Sequence, residues 1–208
     1  SCRRHRRGCS ASCNTVLVRA LGLVVFCTVS SAAAGCGGIE VDGGIEVEWI
    51  PPSVLGVSKL DTSHLDAGVW AIDSYNGNVM STAHSYITSS AADIVCLQEP
   101  RLALCDTPAA ERAAARVKWS LSLQPAAITE ASSTSAGAGI AARSHFGMST
   151  VPSLPWFANL DSRLHVRHVS AICKGGVYVL SAYFWCTIGL TGRNLELLES
   201  IAFLILRG

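Results

Sequence analysis

Ala92-Asp93-Ile94-Val95-Cys96-Leu97-Gln98-Glu99-Pro100-Arg101 is the stretch around which the rest of the chain is organised. Four apolar residues behind Asp93, closed by Pro100, are too few for a buried helix and predict a strand covered on both faces. The C-terminal edge of such a strand presents Gln98 and Glu99. In open α/β sheets ligands bind at that edge, and a carboxylate there is placed to hold a divalent cation through oxygen. A lone glutamate after a strand ordinarily starts a solvated loop, so Glu99 gains meaning only from its neighbours.

Outward from this strand, Val69-Trp70-Ala71-Ile72 predicts a shorter one running into the polar turn Ser74-Tyr75-Asn76-Gly77-Asn78. Val79, Met80, Ala83, Tyr86 and Ile87 fall on one face of an amphipathic helix, with Asn78 as the expected N-cap. Strand, helix, strand is a βαβ unit. Asn76 and Glu99 then end neighbouring strands, so an amide oxygen and a carboxylate converge on one edge, a donor pair suited to a hard cation. A turn role for Asn76, tolerating left-handed geometry, accounts for the same residue.

Further on, Thr107-Pro108 opens a helix continuing to Arg116, and Val117 to Leu123 alternates as an imperfect strand. Pro125 to Ser135 reads as a loop and Ala136 to Ala142 as a glycine-interrupted strand. Leu164 to Val169 alternates as a half-exposed strand, and Gly175-Gly176 turns into a strand over Val177 to Tyr183. Leu197, Leu198, Ile201, Leu204 and Ile205 form a last helical face, with Thr191 as cap.

Several motifs carry less than their spelling suggests. Gly137-x-Gly139-x-x-Ala142 matches a loose dinucleotide fingerprint but neither follows a strand nor opens a helix, as phosphate binding there requires. His165 and His168, three apart on a strand, face opposite ways and make two exposed or half-buried histidines rather than a metal pair. No Gly-x-Ser-x-Gly elbow is present for covalent catalysis.

With half of its 208 residues hydrophobic and 15% charged, the chain is not disordered throughout, and its length suits one substantial core. The net charge of +1 hides an asymmetry: five arginines and no acid precede Glu40, leaving 11 basic against 15 acidic side chains in the body. Such a body has no electrostatic footprint for tight nucleic-acid binding. Nine cysteines without a Cys-x-x-Cys pair give no zinc framework.

Residues 1–36 join a basic start, Arg3 to Arg7, to an apolar run, Ala20 to Val29, and then small residues. That is the layout of a secretory signal; a transit peptide and a translated non-coding stretch fit the same residues. This segment is set outside the fold, with a secreted or organellar location as its implication. Residues 37–68, with the tandem repeat Gly37 to Asp42 and Gly43 to Glu48 and then Pro51-Pro52, read as a linker. The folded domain is expected over 69–208.

Asp93-Ile94-Val95-Cys96-Leu97-Gln98-Glu99 resembles the "D-I-V-x-L-Q-E" segment of the endonuclease/exonuclease/phosphatase superfamily, the DNase-I-like fold. Tyr75-Asn76-Gly77 is similar to that family's turn after the first strand, and Ser135 to Ile140 to its "S-x-G-V-A-I" strand. Val179 to Tyr183 resembles a strand ending in a phosphate-facing tyrosine, and Asn194 opens a helix like the one that follows it. The resemblance implies a metal-dependent phosphodiesterase or phosphatase built as a two-sheet α/β sandwich. Glu99 would ligate Mg²⁺ or Mn²⁺, Asn76 would assist at the metal or phosphate, and Tyr183 would lie near the phosphate. The family's Gly-Asp-x-Asn and Ser-Asp-His segments do not occur before Gly208, so a partial domain lacking its second half, with little catalysis of its own, is expected. Its substrate in a complete parent would be a nucleic acid or a small phosphate ester. The alternative is a non-catalytic remnant acting as a binding module, with self-association through exposed sheet surface.

Overall fold

The central unit is a strand β3 (Trp70–Asn76), a helix α1 (Met80–Ser89) and a strand β4 (Ile94–Gln98). The two strands run parallel, in a register that pairs Ile72 with Ile94 and Asn76 with Gln98. This is the expected βαβ arrangement. The computed structural model describes residues 13–18, 23–28, 70–129, 133–151, 162–170, 175–185 and 191–207.

Helix α1 buries Ala83, Tyr86 and Ile87, three of the five residues placed on its apolar face. Its N-cap is Val79, not Asn78, which has a left-handed backbone with φ of 56°. The turn therefore uses Asn78 for its tolerance of positive φ rather than for its side-chain oxygen.

Around this unit the chain completes two sheets. The first adds β1 (Cys13–Val18), β5 (Trp119–Gln124) and β8 (Ala138–Arg143) in the order β1-β3-β4-β8-β5. The second takes β2 (Leu23–Thr28), β9 (Met148–Thr150), β10 (Leu164–Val169) and β11 (Val177–Tyr183) in the order β2-β11-β10-β9. Two-residue strands β6 (Ala127–Ile128) and β7 (Thr134–Ser135) pair within the expected loop. Both large sheets mix parallel and antiparallel pairings, and with α1, α2 (Thr107–Arg116) and α3 (Arg193–Arg207) they make an α/β protein.

Strand alternation explains the layers. Ile72, Ile94, Cys96, Ile140 and Ala142 leave one face of the first sheet to meet Val169, Val177 and Val179 of the second, all buried. Ala71, Val95, Leu97, Trp119, Leu121 and Leu123 leave the opposite face and are covered by Ala83, Tyr86 and Ile87 of α1 and Ala114 of α2. On the far face of the second sheet, Leu164, Leu180 and Ala182 meet Leu197 and Ile201 of α3. The order of layers is helix, sheet, sheet, helix. Strand β4, buried on both faces, is its centre, as its unbroken apolar run requires.

The structure departs from expectation at the start of the chain. Residues 13–18 and 23–28, set outside the fold on sequence, are the edge strands β1 and β2, β1 antiparallel to β3 and β2 parallel to β11. A short apolar run that could enter a membrane or a translocation channel has the same composition as a buried strand, and only pairing with residues far along the chain separates the two. The linker assigned to 37–68 lies outside the described residues. Helix α2 has Asp106 rather than Thr107 at its cap position, with the proline in its first turn as expected. Helix α3 starts two residues after Thr191, whose carbonyl accepts the Asn194 N–H at 3.1 Å; the side chains of Leu204 and Ile205 lie outside the description.

Candidate functional site

At the C-terminal ends of β3 and β4 the backbone is pulled into a rim by hydrogen bonds. Gly77 N–H donates to Gln98 O at 3.0 Å, and Glu99 N–H donates to Gly137 O at 3.1 Å. Glu99 thus sits between the exit of β3 and the entry to β8. Gly137 N–H donates in turn to Ser162 O at 2.8 Å, and Tyr183 N–H to Arg163 O at 2.9 Å. This series of bonds links Asn76, Glu99 and Tyr183 along one edge that crosses both sheets.

The rim is held in costly conformations. Glu99, Arg101 and Ala136 have φ of 52°, 48° and 64°, and Gly137 has φ of 92°. A left-handed backbone costs a residue with a Cβ roughly 1–2 kcal/mol, and it persists because Glu99 and Arg101 are each tied to the opposing segment, Arg101 N–H to Ala136 O at 3.1 Å. Gly137 has no alternative to glycine, since a Cβ would lie 3.1 Å from Pro100 Cγ at an already unfavourable φ. Strain of this kind collects where a side chain must be aimed. Glu99→Gly is therefore expected to leave stability within about 1 kcal/mol of the parent, whereas the β-branched Glu99→Val costs about 2 kcal/mol more than the glycine variant. Equal denaturation midpoints for the two would show that the left-handed turn is not maintained.

Under the rim lies a buried polar floor. Gln98 is fully buried; its Oε1 accepts from Ser74 Oγ at 3.4 Å, and its Nε2 donates to Ser181 Oγ at 3.3 Å. Ser181 Oγ donates to Leu97 O at 2.8 Å, joining β11 to β4 across the sandwich. Ordering β3, β4 and β11 through one amide keeps the strand ends in mutual register. Sequence reasoning presented Gln98 toward a ligand; the structure turns it between the sheets instead, because it shares the face of Ile94 and Cys96.

Of the expected site residues, Asn76 and Glu99 are brought to the same edge. Asn76 Oδ1 accepts the Asn78 N–H at 3.2 Å, an Asx-type bond that shapes the turn while leaving one lone pair of that oxygen unused by it. Glu99 Oε2 accepts from Arg101 at 3.3 Å; the glutamate side chain is 11% exposed and the arginine 42%. So exposed an arginine makes a weak pair that another cation can displace. Tyr183, at the end of β11, is buried, with the Arg163 guanidinium 4.8 Å from its ring centre. The same guanidinium lies 4.2 Å from the Trp185 ring. Arg163 and Arg101 are not among the residues the sequence singles out for the site, although each is an arginine beside a strand end of the rim.

Asn194 is buried and clamps the backbone of Trp185 from both sides, accepting its N–H and donating to its carbonyl at 2.8 Å each. It fixes the entry to α3. Asp73, bonded to Tyr86 Oη at 2.8 Å and Ser90 Oγ at 2.7 Å, points to the α1 side, and Asp93 accepts the Ala71 N–H at the opposite end of β4. Neither reaches the rim. Among the described residues no three His, Cys, Asp or Glu side chains group as a metal cluster. Glu99 and Asn76 place one carboxylate and one amide oxygen at the same strand edge, the hard oxygen chemistry that a magnesium-type ion takes.

No known family model, no curated protein and no solved structure matches the chain.

Proposed function

We propose that the chain carries the metal-binding and phosphate-facing half of a phosphoester hydrolase site of the endonuclease/exonuclease/phosphatase kind, on a DNase-I-like sandwich. The observation that supports this reading best is the placement of Asn76 and Glu99 at the ends of adjacent parallel strands, with Glu99 on a left-handed backbone. In this reading Glu99 and Asn76 are the protein ligands of Mg²⁺ or Mn²⁺, which when bound would neutralise charge on a phosphoryl oxygen and acidify water. Tyr183 and Arg163 form the phosphate side of the edge, and Gln98 keeps the two sides in register.

A hydrolase also needs a group to activate water, and the 208 residues contain neither Gly-Asp-x-Asn nor Ser-Asp-His. Cation binding with little turnover is the corresponding expectation. Calorimetric titration of the whole chain with Mg²⁺ and Mn²⁺, beside an assay with bis(p-nitrophenyl) phosphate, tests it. Binding in the range of about 0.1–10 mM, reduced at least about tenfold by Glu99→Gln, is expected. Binding unaltered by that substitution would sink the proposal.

A further inference from the structure

A slot at the far side of the sandwich has no part in the rim. Strand β5 is the outermost strand of the first sheet and is hydrogen-bonded, among the described residues, only to β8. Its sequence, Trp119-Ser120-Leu121-Ser122-Leu123-Gln124, alternates and holds neither charge nor proline, so the strand's own residues do nothing to blunt the edge. A cleft of about 430 Å³ runs along this edge. Its floor is Trp119 to Ser122; one wall is α2, with Glu111, and the other is the second sheet, with Thr150 and Arg167.

The two walls carry opposite charges. Arg167 is held in place by its Nε–H bond to Ser122 Oγ at 2.8 Å and its bond to Val166 O at 3.0 Å. Burial lowers its pKa and Glu111 partly offsets this, so the two charges feel each other. Yet no ion pair joins Arg167 to Glu111 among the described residues.

We infer that the β5 slot receives an extended peptide strand from a partner protein, added to the sheet by main-chain hydrogen bonds. Adjacent side chains of a strand point to opposite faces, so neighbouring acidic and basic residues of the incoming segment meet Arg167 on one wall and Glu111 on the other. Main-chain pairing supplies affinity, and the two wall charges set which segment fits and in which register. This surface is independent of the phosphoester site.

The test uses fluorescence anisotropy with the whole chain and a capped, labelled hexapeptide of valine and threonine carrying glutamate and lysine at its two central positions. Saturable binding is expected below about 1 mM. Arg167→Glu should weaken it at least about tenfold, and a peptide with lysine in place of the glutamate should recover most of that loss. Glu111→Lys, on the wall that makes no bond to β5, should weaken binding of the parent peptide without altering the fold by circular dichroism. Absence of saturation up to about 1 mM, or binding indifferent to both substitutions, overturns the inference. So does a dimer, seen by sedimentation, that excludes the peptide, since the occupant would then be a second copy of the chain.

Discussion

Trp119→Ala is expected to lower the unfolding free energy by about 3–5 kcal/mol, the range for removing a large aromatic side chain from a core. Trp119 is 1% exposed and opens β5 on the face that packs under α2, among Ala114, Leu121 and Leu123. Its ring carries the Arg143 guanidinium at 4.2 Å, and that arginine is pinned to Ser90 O at 2.7 Å and Ala92 O at 3.1 Å. One ring therefore connects α2, β5, β8 and the segment leading into β4. Truncation opens a cavity and unseats a cation whose other contacts are backbone carbonyls. Since small domains retain roughly 5–15 kcal/mol in total, the variant should sit near the threshold of folding. Urea denaturation is the check, with Trp119→Phe as control, expected to cost about 1–2 kcal/mol because it keeps most of the apolar contact. A loss below about 1 kcal/mol for the alanine variant would mean that α2 and β5 lie outside the cooperative core.

What was legible in the sequence follows from how local each signal is. Strands β10 and β11 were expected over Leu164–Val169 and Val177–Tyr183 and are found there, because alternation over six or seven residues needs no partner to be recognised. Strand β4 was legible from its unbroken apolar run, and α1 from helical spacing. Strands β1 and β2 were not, because Val16, Leu17 and Val18, or Leu23 to Phe26, acquire their meaning from pairing with Trp70 to Ile72 and Tyr178 to Ser181. Burial was misjudged for a related reason. Alternation in β10 predicts a half-exposed strand with exposed or half-buried histidines, whereas His165 meets the other sheet through Ser122 and is only 4% exposed.

For the site, the placement of Asn76 and Glu99 at one sheet edge could be reached from sequence because both strand ends and their parallel connection could. The left-handed turn that aims Glu99 could not, since glutamate has no preference for positive φ and the constraint comes from Gly137 and Ala136, far along the chain. The floor of Gln98, Ser74 and Ser181 was equally hidden. A glutamine closing an apolar strand looks like an exposed end until a second sheet lies over it.

That buried histidine gives the protein an acid sensitivity with a determined sign. Burial, and next the positive charge of Arg167, lower the pKa of His165 to about 3 from its ordinary value of 6.5. Arg167 Nε–H already donates to Ser122 Oγ at 2.8 Å, and His165 Nε2 lies 3.0 Å from the same oxygen. In the neutral ring Nε2 can accept the serine proton; a charged ring, itself buried, would set two cations on one hydroxyl. The folded protein therefore stays unprotonated where the unfolded chain takes up a proton, so this contribution is complete above pH 6.5 and is lost as pH falls toward about 3. Linkage sets the slope at about 1.4 kcal/mol per pH unit, or about 2–3 kcal/mol lost by pH 4.5. His165→Gln keeps a hydrogen-bonding partner for Ser122 and has nothing to titrate, so the difference between parent and variant isolates the effect from carboxylates that titrate nearby. Urea midpoints measured from pH 7 to pH 4 should converge for the two proteins as pH falls, the parent losing stability faster. Parallel pH profiles would mean that the ring is protonated at no cost, and the polar contact between β5 and β10 would have to be looser than 3.0 Å implies.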